Sequence, residues 1–525
     1  MKTFENKKVF FLIAIASISL LIAGLTSELY LGDEVYHYRF AKQMYEAGRR
    51  VSYDSLYGTG APPGYFYATD PLWEGLLAIL WKLFGKVSFP IAQIYQTCFY
   101  ALLLLLIYLV GKEIFGEREG FWSLLLMASM PMAVAFGILF YMDVPATAMT
   151  LMALYWVLRK KYLWVGLSVA LMYLTKRNTS ALIPAMVLVP LYFEKGGFLK
   201  KTRNLVFCLV PSLATALWDA WWRFRHIEST KFQIPEIGNI KNLTTLEYVK
   251  LRLSKMIWGT KEYLNSSLIN PLDLVKYMGI VVLLFLVYYF IKGLFRREKR
   301  ETSALFLGMI GSYSVFFLFL VGFNSDIRYL FPIVPLLCLL ASRAISSLRK
   351  KWASILIIAV CVVQFGATLA YIHVQRRMPE EIREGFSYVR AHIPKDALLI
   401  YPEYIMVEAT ERRFVWFSFF YMEQYILMNR YPEYQWWDMS RVFFWNPNVE
   451  DLERSLRVNK VDYIVIKKTR VYDDSRVKHL GGYPKSFVQK MPALAFLKLV
   501  FNNKGISIWE VQKDVLHLDE KDHKT

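Results

Sequence analysis

Two adjacent carboxylates, Asp33 and Glu34, follow the first apolar run of the chain, which spans Val9 to Thr26. At the edge of a membrane such a pair is costly unless it is solvated or used. A carboxylate there can take a proton from an incoming hydroxyl. The same residues would also suit the start of a following helix, where negative charge meets the positive end of the dipole. Asp143 lies in the very short stretch Tyr-Met-Asp-Val-Pro and is a second candidate carboxylate. Two residues before Pro145, it is equally a candidate N-cap, and alone its position favours that reading. Lys176, Arg177 and Arg328 are cations in short connections between apolar runs. They could hold a phosphate, Arg in bidentate fashion. They could instead snorkel to lipid headgroups, the preferred reading for Arg177. His37 follows Asp33 by four residues, so the two could share a helix face and bind a metal. His226 opens a later loop. Neither histidine belongs to a recognised ligand set, and both read as plain surface residues.

The elements that must position these residues are apolar. Of the 525 residues, 55% are hydrophobic, and the mean hydropathy is +0.30. The apolar residues gather in runs of about 18–22, the length a helix needs to cross roughly 30 Å of hydrocarbon. Eleven spans are expected, at 9–26, 90–111, 120–139, 145–159, 162–175, 178–193, 205–222, 274–292, 303–322, 329–348 and 352–374. With the N-terminus in the cytoplasm, the inner loops collect Lys112 and Arg118, Arg159 to Lys161, Lys195 to Arg203, Arg296 to Arg300 and Arg349 to Lys351. The positive-inside bias supports this orientation. The outer turns with Lys176, Arg177 and Arg328 break it. An odd number of spans then places the C-terminal part outside. The first run follows Lys7 and Lys8 but has no clear small-x-small cleavage site, so it reads as an uncleaved span.

Residues 71–84 are apolar yet short, and carry Glu74 and Lys82. They read as an amphipathic helix in the outer interface, with Asp70 as N-cap, Pro71 first and Gly85 as its stop. A second such helix is expected over 34–47, with Val35, Tyr38, Ala41 and Tyr45 on one face. The first outer loop is then 27–89, with both helices resting on the membrane. A second outer loop, 223–272, carries the acceptor sequences Asn242-Leu-Thr and Asn265-Ser-Ser.

The formal charge of +20 lies in loops between apolar runs and reports contact with anionic headgroups. No zinc-finger spacing or RNA-binding signature accompanies it, which argues against nucleic acid. Cys98, Cys208, Cys338 and Cys361 all fall inside expected spans, so no disulfide framework arises. Residues 376–525 read as a soluble α/β domain, with a helix over Glu380–His392 and strands over Leu398–Tyr401, Tyr463–Ile466, Leu497–Phe501 and Ile506–Val511. Trp416, Trp436, Trp437 and Trp445 crowd the stretch 414–445. They could stack on sugar rings, but anchoring on the membrane surface is the preferred reading. A twelfth span over 414–430 is disfavoured by Glu423, Gln424 and Asn429.

In this order the motifs resemble the GT-C superfamily of membrane glycosyltransferases. The similarity is greatest to the branch with protein O-mannosyltransferases and the aminoarabinose transferase of lipid A. It rests on Gly32-Asp33-Glu34-Val-Tyr-His-Tyr, Asp70-Pro71-Leu72-Trp73, Leu83-Phe84-Gly85, Lys112-Glu-Ile-Phe-Gly-Glu-Arg-Glu-Gly, the Asp143 and Thr175-Lys176 turns, and Arg328-Tyr-Leu-Phe-Pro-Ile-Val-Pro. Gly385-Phe-Ser-Tyr-Val-Arg and Val461-Asp-Tyr-Ile-Val-Ile are similar to extracytoplasmic tails of such proteins. Related sequences often carry a Lys or a second Pro before the second interfacial helix, where this chain has Thr69, Asp70 and a single Pro71.

The resemblance implies a multi-pass helical membrane domain, 1–375, with an extracytoplasmic α/β domain, 376–525. It implies transfer of a sugar, a mannose-like hexose first, from a polyprenyl- or dolichyl-phosphate carrier to a protein, lipid or glycan acceptor on the outer face. Asp33 would be the base with Glu34 in support, Asp143 the second outer carboxylate, and Lys176 and Arg328 the cations on the donor phosphate. The resemblance assigns no certain cofactor and leaves a divalent metal possible. The alternative is a polytopic transporter of a lipid-linked or small anionic substrate. Such proteins tend to show internal repeats and charges at mid-membrane, and neither is found here.

Overall fold

The computed structural model describes residues 2–51, 71–226, 278–292, 300–320, 327–348, 351–401, 405–416, 456, 461–472 and 483–515. The acceptor sequences at Asn242 and Asn265, Asp70, and the aromatic stretch beyond Trp416 lie outside the described residues. So do the side chains of Asp33, His226 and Arg328, although their backbones are described.

The helices in chain order are α1 (Lys2–Leu25), α2 (Gly32–Ala47), α3 (Pro71–Leu83), α4 (Phe89–Ile114), α5 (Glu117–Ser129), α6 (Pro131–Ile138), α7 (Asp143–Leu158), α8 (Tyr162–Thr175), α9 (Ile183–Phe193) and α10 (Phe198–His226). They continue with α11 (Ile280–Ile291), α12 (Arg300–Leu320), α13 (Val334–Ser346) and α14 (Lys351–Gln375). Short 3₁₀ turns at Arg177–Leu182 and Ile327–Ile333 lead into α9 and α13. Where they are described, the segments expected to span are helical. Among the described residues, five stretches are long and apolar enough to cross a membrane: Lys7–Leu25, Phe89–Ile114, Phe198–Arg223, Tyr329–Ser346 and Lys351–His392. A sixth is added if α5 and α6, bent by 62° where Pro131 interrupts them, count as one. The fold is that of a multi-pass helical membrane protein.

Burial separates the bundle interior from its lipid face. Only 11% of the apolar window of α10 is buried, and Val210, Leu213, Leu217 and Trp221 stand exposed on it. An outward-facing apolar surface of this kind needs hydrocarbon around it. The interior is built on α4, which packs against α1, α5 and α7, while α8 joins α7 to α10. At the α4–α5 crossing, a Cβ on Gly120 would lie 2.8 Å from the Tyr108 carbonyl and one on Gly111 2.9 Å from Gly120 Cα. Only glycine lets the two backbones approach so closely. The motif Lys112 to Gly120 is therefore structural. Its charges are held as Lys112–Glu117 at 2.7 Å, Arg159–Glu113 at 3.0 Å and Arg343–Glu119 at 3.0 Å.

The C-terminal part is a mixed five-stranded sheet. Its strands are β1 (Leu398–Tyr401), β2 (Arg413–Trp416), β3 (Tyr463–Lys467), β6 (Leu497–Asn502) and β7 (Ile506–Val511), in the order β2-β1-β3-β7-β6. The first two pairings are parallel and the last two antiparallel. A two-residue ladder, β4 (Val471–Tyr472) with β5 (Tyr483–Pro484), lies apart. Helix α15 (Glu380–His392) lays Ile382, Phe386 and Val389 on the sheet. Asp462 accepts from the Leu398 amide at 2.7 Å, and Asn503 accepts from the amides of Gly505 and Ile506 to close the β6–β7 turn. Two short helices, α16 (Ile405–Thr410) and α17 (Lys485–Lys490), complete this part.

The apolar face of α2, expected on the membrane, is covered by protein. Tyr38 and Ala41 pack against Trp73, Leu77 and Trp81 of α3. Val35, Tyr36, Phe40 and Met44 share a core with Ile382, Phe386, Leu399 and Ile508 of the C-terminal part. An apolar residue count cannot distinguish lipid from a neighbouring domain as the covering partner. Helix α3 keeps the amphipathic form expected of it. Its inner face is buried, while Leu76, Ile79 and Leu83 are exposed. It starts at Pro71 and stops at Gly85, whose φ of +71° places it in the left-handed region.

Candidate active site

The chain leaves α1 at Leu25 and turns directly into α2, so Asp33 sits in the first turn of that helix. Glu34 follows it inward and is fully buried. Its Oε1 accepts from the backbone N–H of Tyr30 at 3.1 Å and of Leu31 at 2.9 Å, which closes the N-terminus of α2. Arg376, just past α14 and also fully buried, meets Glu34 Oε2 at 3.0 Å. The guanidinium also donates to Ser27 Oγ at 2.9 Å and lies over the rings of Phe89 and Phe140. Glu34 is thus locked by three groups, two amides and the guanidinium, and orients α2. Sequence reasoning missed Arg376, because its partner lies more than 300 residues away along the chain.

The chain between α6 and α7 is unwound, and its carbonyls need donors. Gln93 and Gln96, both fully buried on α4, supply them. Gln93 donates to Ile138 O at 3.2 Å. Gln96 donates to Phe136 O at 2.6 Å and Leu139 O at 2.9 Å, and reaches Tyr141 O at 3.1 Å. Trp73 of α3 donates to Gln96 Oε1 at 3.0 Å. Two glutamines three residues apart inside an apolar run were a usable signal for such a role.

This unwound turn delivers Asp143. It is the first residue of α7 rather than its cap, a position held by Met142 with no side-chain cap bond. The Asp143 carboxylate instead meets Lys176 Nζ at 2.5 Å, and the pair is almost fully buried. Lys176 leaves the end of α8 in extended conformation with φ −159°, and its Nζ lies 5.0 Å from the ring centre of Tyr329. Tyr329 directly follows Arg328 in the 3₁₀ turn and receives, at its carbonyl, a hydrogen bond from Tyr313. Three sequence-distant motifs therefore meet at one place. Arg177 opens the neighbouring 3₁₀ turn, half-buried.

His37 differs from expectation. It is not a surface residue but only 7% exposed. Its Nδ1 lies 2.9 Å from Glu74 Oε1, which is fully buried on α3. Its ring faces Trp73 and Tyr141 edge-on. The contact with Tyr141, two residues before Asp143, sets the first turns of α2 against the Asp143 turn. Among the described residues no group of three His, Cys, Asp or Glu side chains could hold a metal ion. A second buried knot joins the end of α2 to α10, where Asp219 binds Arg50 at 2.7 Å and Arg223 at 2.8 Å, with Arg50 stacked on Trp222.

Residues 69–222 match the family model for dolichyl-phosphate-mannose-protein mannosyltransferase. Residues 267–408 match that of the Alg9-like mannosyltransferase family. No curated protein matches the chain in sequence. Among solved structures it is similar to ArnT from Cupriavidus metallidurans bound to undecaprenyl phosphate, with a TM-score of 0.57 at 13% identity, over 96% of this chain and 98% of that one. It is also similar to the archaeal oligosaccharyltransferase AglB from Archaeoglobus fulgidus, in complex with an inhibitory peptide and a dolichol-phosphate. There the TM-score is 0.55 at 12% identity, over 88% of this chain and 70% of that one. The fold is that of the GT-C membrane glycosyltransferases, and the two matched segments mark the chain as a glycosyltransferase of the kind that uses a lipid-phosphate sugar donor. Within that class its matched segments are those of mannosyltransferase families.

Proposed function

We propose that this protein transfers a mannose-like hexose from a polyprenyl- or dolichyl-phosphate to a protein, lipid or glycan acceptor on the outer membrane face. The observation that carries the reading is the convergence of Asp143, Lys176 and the Arg328–Tyr329 turn at one end of the bundle, beside the start of α2. In this reading the chain has eleven spans over 1–375, the N-terminus is cytoplasmic, and 376–525 is an extracytoplasmic domain. Asp33 accepts the proton as the acceptor oxygen bonds to the anomeric carbon. The bond from that carbon to the phosphate oxygen breaks, and the phosphate leaves with the electron pair. Lys176 and Arg328 stabilise the charge that develops on it. Glu34 is a positioning residue, bound to Arg376 and to the helix start. Asp143 holds Lys176 aimed at the site and yields it to the incoming phosphate.

The test is transfer from radiolabelled polyprenyl-phosphate sugars in membranes. Native protein should move label, and Asp33→Asn should lose about 100-fold or more, the scale of a positioned general base. Asp143→Asn removes the anion that competes for Lys176, so it should bind the lipid phosphate as tightly or more tightly while Lys176→Met binds it more weakly. Full transfer by Asp33→Asn would rule out the assigned base.

A further inference from the structure

A cavity of about 500 Å³ lies where the C-terminal part meets the end of α14. Among the described residues, its charged lining consists of Arg377, Lys467, Arg470 and Lys504 with the carboxylate Glu381. The cations come from three separate places: the exit of α14, the end of β3 with the turn after it, and the β6–β7 turn. Their approach is built into the fold. The Lys468 amide donates to Gly505 O at 2.9 Å, which ties the β3 end to the β6–β7 turn. Lys467 is 8% exposed, donates to Tyr30 Oη at 2.9 Å and lies over the same ring.

The cavity borders the supports of the candidate site along the chain. Tyr30 and Leu31 form one wall, and their amides bind Glu34, next to Asp33. Gln375 and Arg377 form another wall and flank Arg376. Neither Lys176 nor Asp143 lines it, so it is separate from the proposed donor-phosphate site. Its net positive lining attracts anions, and its partly enclosed form strengthens that attraction relative to open water.

We propose that this cavity is the acceptor's anion subsite: a phosphate or carboxylate on the acceptor binds to Lys467, Arg470, Lys504 and Arg377, which presents the acceptor hydroxyl to Asp33. The assignment rests on the glycosyltransferase reading above and adds to it that the acceptor is anionic.

The experiment uses the full chain in nanodiscs of neutral phosphatidylcholine, with radiolabelled orthophosphate as the probe. Arg470→Ser with Lys504→Ser, both at the edge of the tail, should weaken phosphate binding about tenfold or more, equivalent to roughly 1.4 kcal/mol. Lys176→Met should leave in place the phosphate binding that the double variant removes. In the transfer assay the double variant should raise KM for a phosphorylated acceptor and leave kcat and the donor KM as they are. Phosphate binding that ignores the double variant overturns the subsite. Displacement of phosphate by phosphatidylglycerol in the disc, with an unmoved acceptor KM, makes it a lipid-headgroup site and overturns the acceptor assignment. Tail-dependent phosphate binding without sugar transfer from any donor sinks the enzymatic reading while the anion site itself stands.

Discussion

Glu34 and Arg376 carry opposite charge in a place with no access to water, and each is meaningful only through the other. Burying two ions costs several kcal/mol apiece, and only close pairing with further hydrogen bonds offsets it. Ser27, Gln93 and the Tyr30 and Leu31 amides provide those bonds. Arg376→Met should therefore destabilise the protein by about 3–5 kcal/mol, because it strands the Glu34 carboxylate. Adding Glu34→Gln should recover a large part of that loss. Denaturant unfolding in detergent measures both, and an Arg376→Met protein as stable as the native one would show that the pair contributes nothing. Asp33 and Glu34 stood out in sequence as a candidate base and its support, and Glu34 spends its carboxylate on architecture. His37 illustrates the same limit: nothing local reveals that Glu74 lies across from it.

At the scale of elements, the site depends on a break. Pro131 ends α5, α6 is short, and the unwound residues before α7 bring Asp143 to one end of the bundle, where it is buried against Lys176. Gln93 and Gln96 make that break tolerable in an apolar setting. The opposite end of the bundle is fixed by the α4–α5 crossing. Gly120→Leu would drive a side chain into the Tyr108 carbonyl, which is backbone and cannot move aside. Overpacking of this kind costs about 1–3 kcal/mol and often more. A lower melting temperature and poor recovery of folded protein are expected, while Gly75→Leu, which meets nothing within 4 Å, should behave as native. Equal behaviour of the two variants would refute the close approach. The expected helix starts and stops at Pro71, Gly85, Glu380 and His392 agree with the structure because caps are local. Strand β2 was not anticipated, since a short edge strand is defined by its partner β1 and not by its own residues.

For the whole molecule, the C-terminal part is more than an appendage. It covers the outer side of α2 with Ile382, Phe386, Leu399 and Ile508, and Arg39 and Lys42 of α2 pair with Glu408 of α16. A chain ended after Arg377 keeps Arg376 and the bundle, but exposes Val35, Tyr36, Phe40 and Met44. It should still insert into membranes, become sensitive to protease within α2, and lose sugar transfer. Retained transfer with a protected α2 would show that the helix is held by the bundle alone.

The order of apolar runs, the basic loops between them, and the period of α15 and the paired strands follow from the sequence by itself. Hydrophobic length and side-chain periodicity are properties of neighbours along the chain. Only the tertiary structure decided what covers α2, which carboxylate is spent on structure, and where Lys176 finds its anion. Each of those outcomes pairs residues tens to hundreds of positions apart, and the burial that gives such pairs their strength exists only once the chain has folded around them.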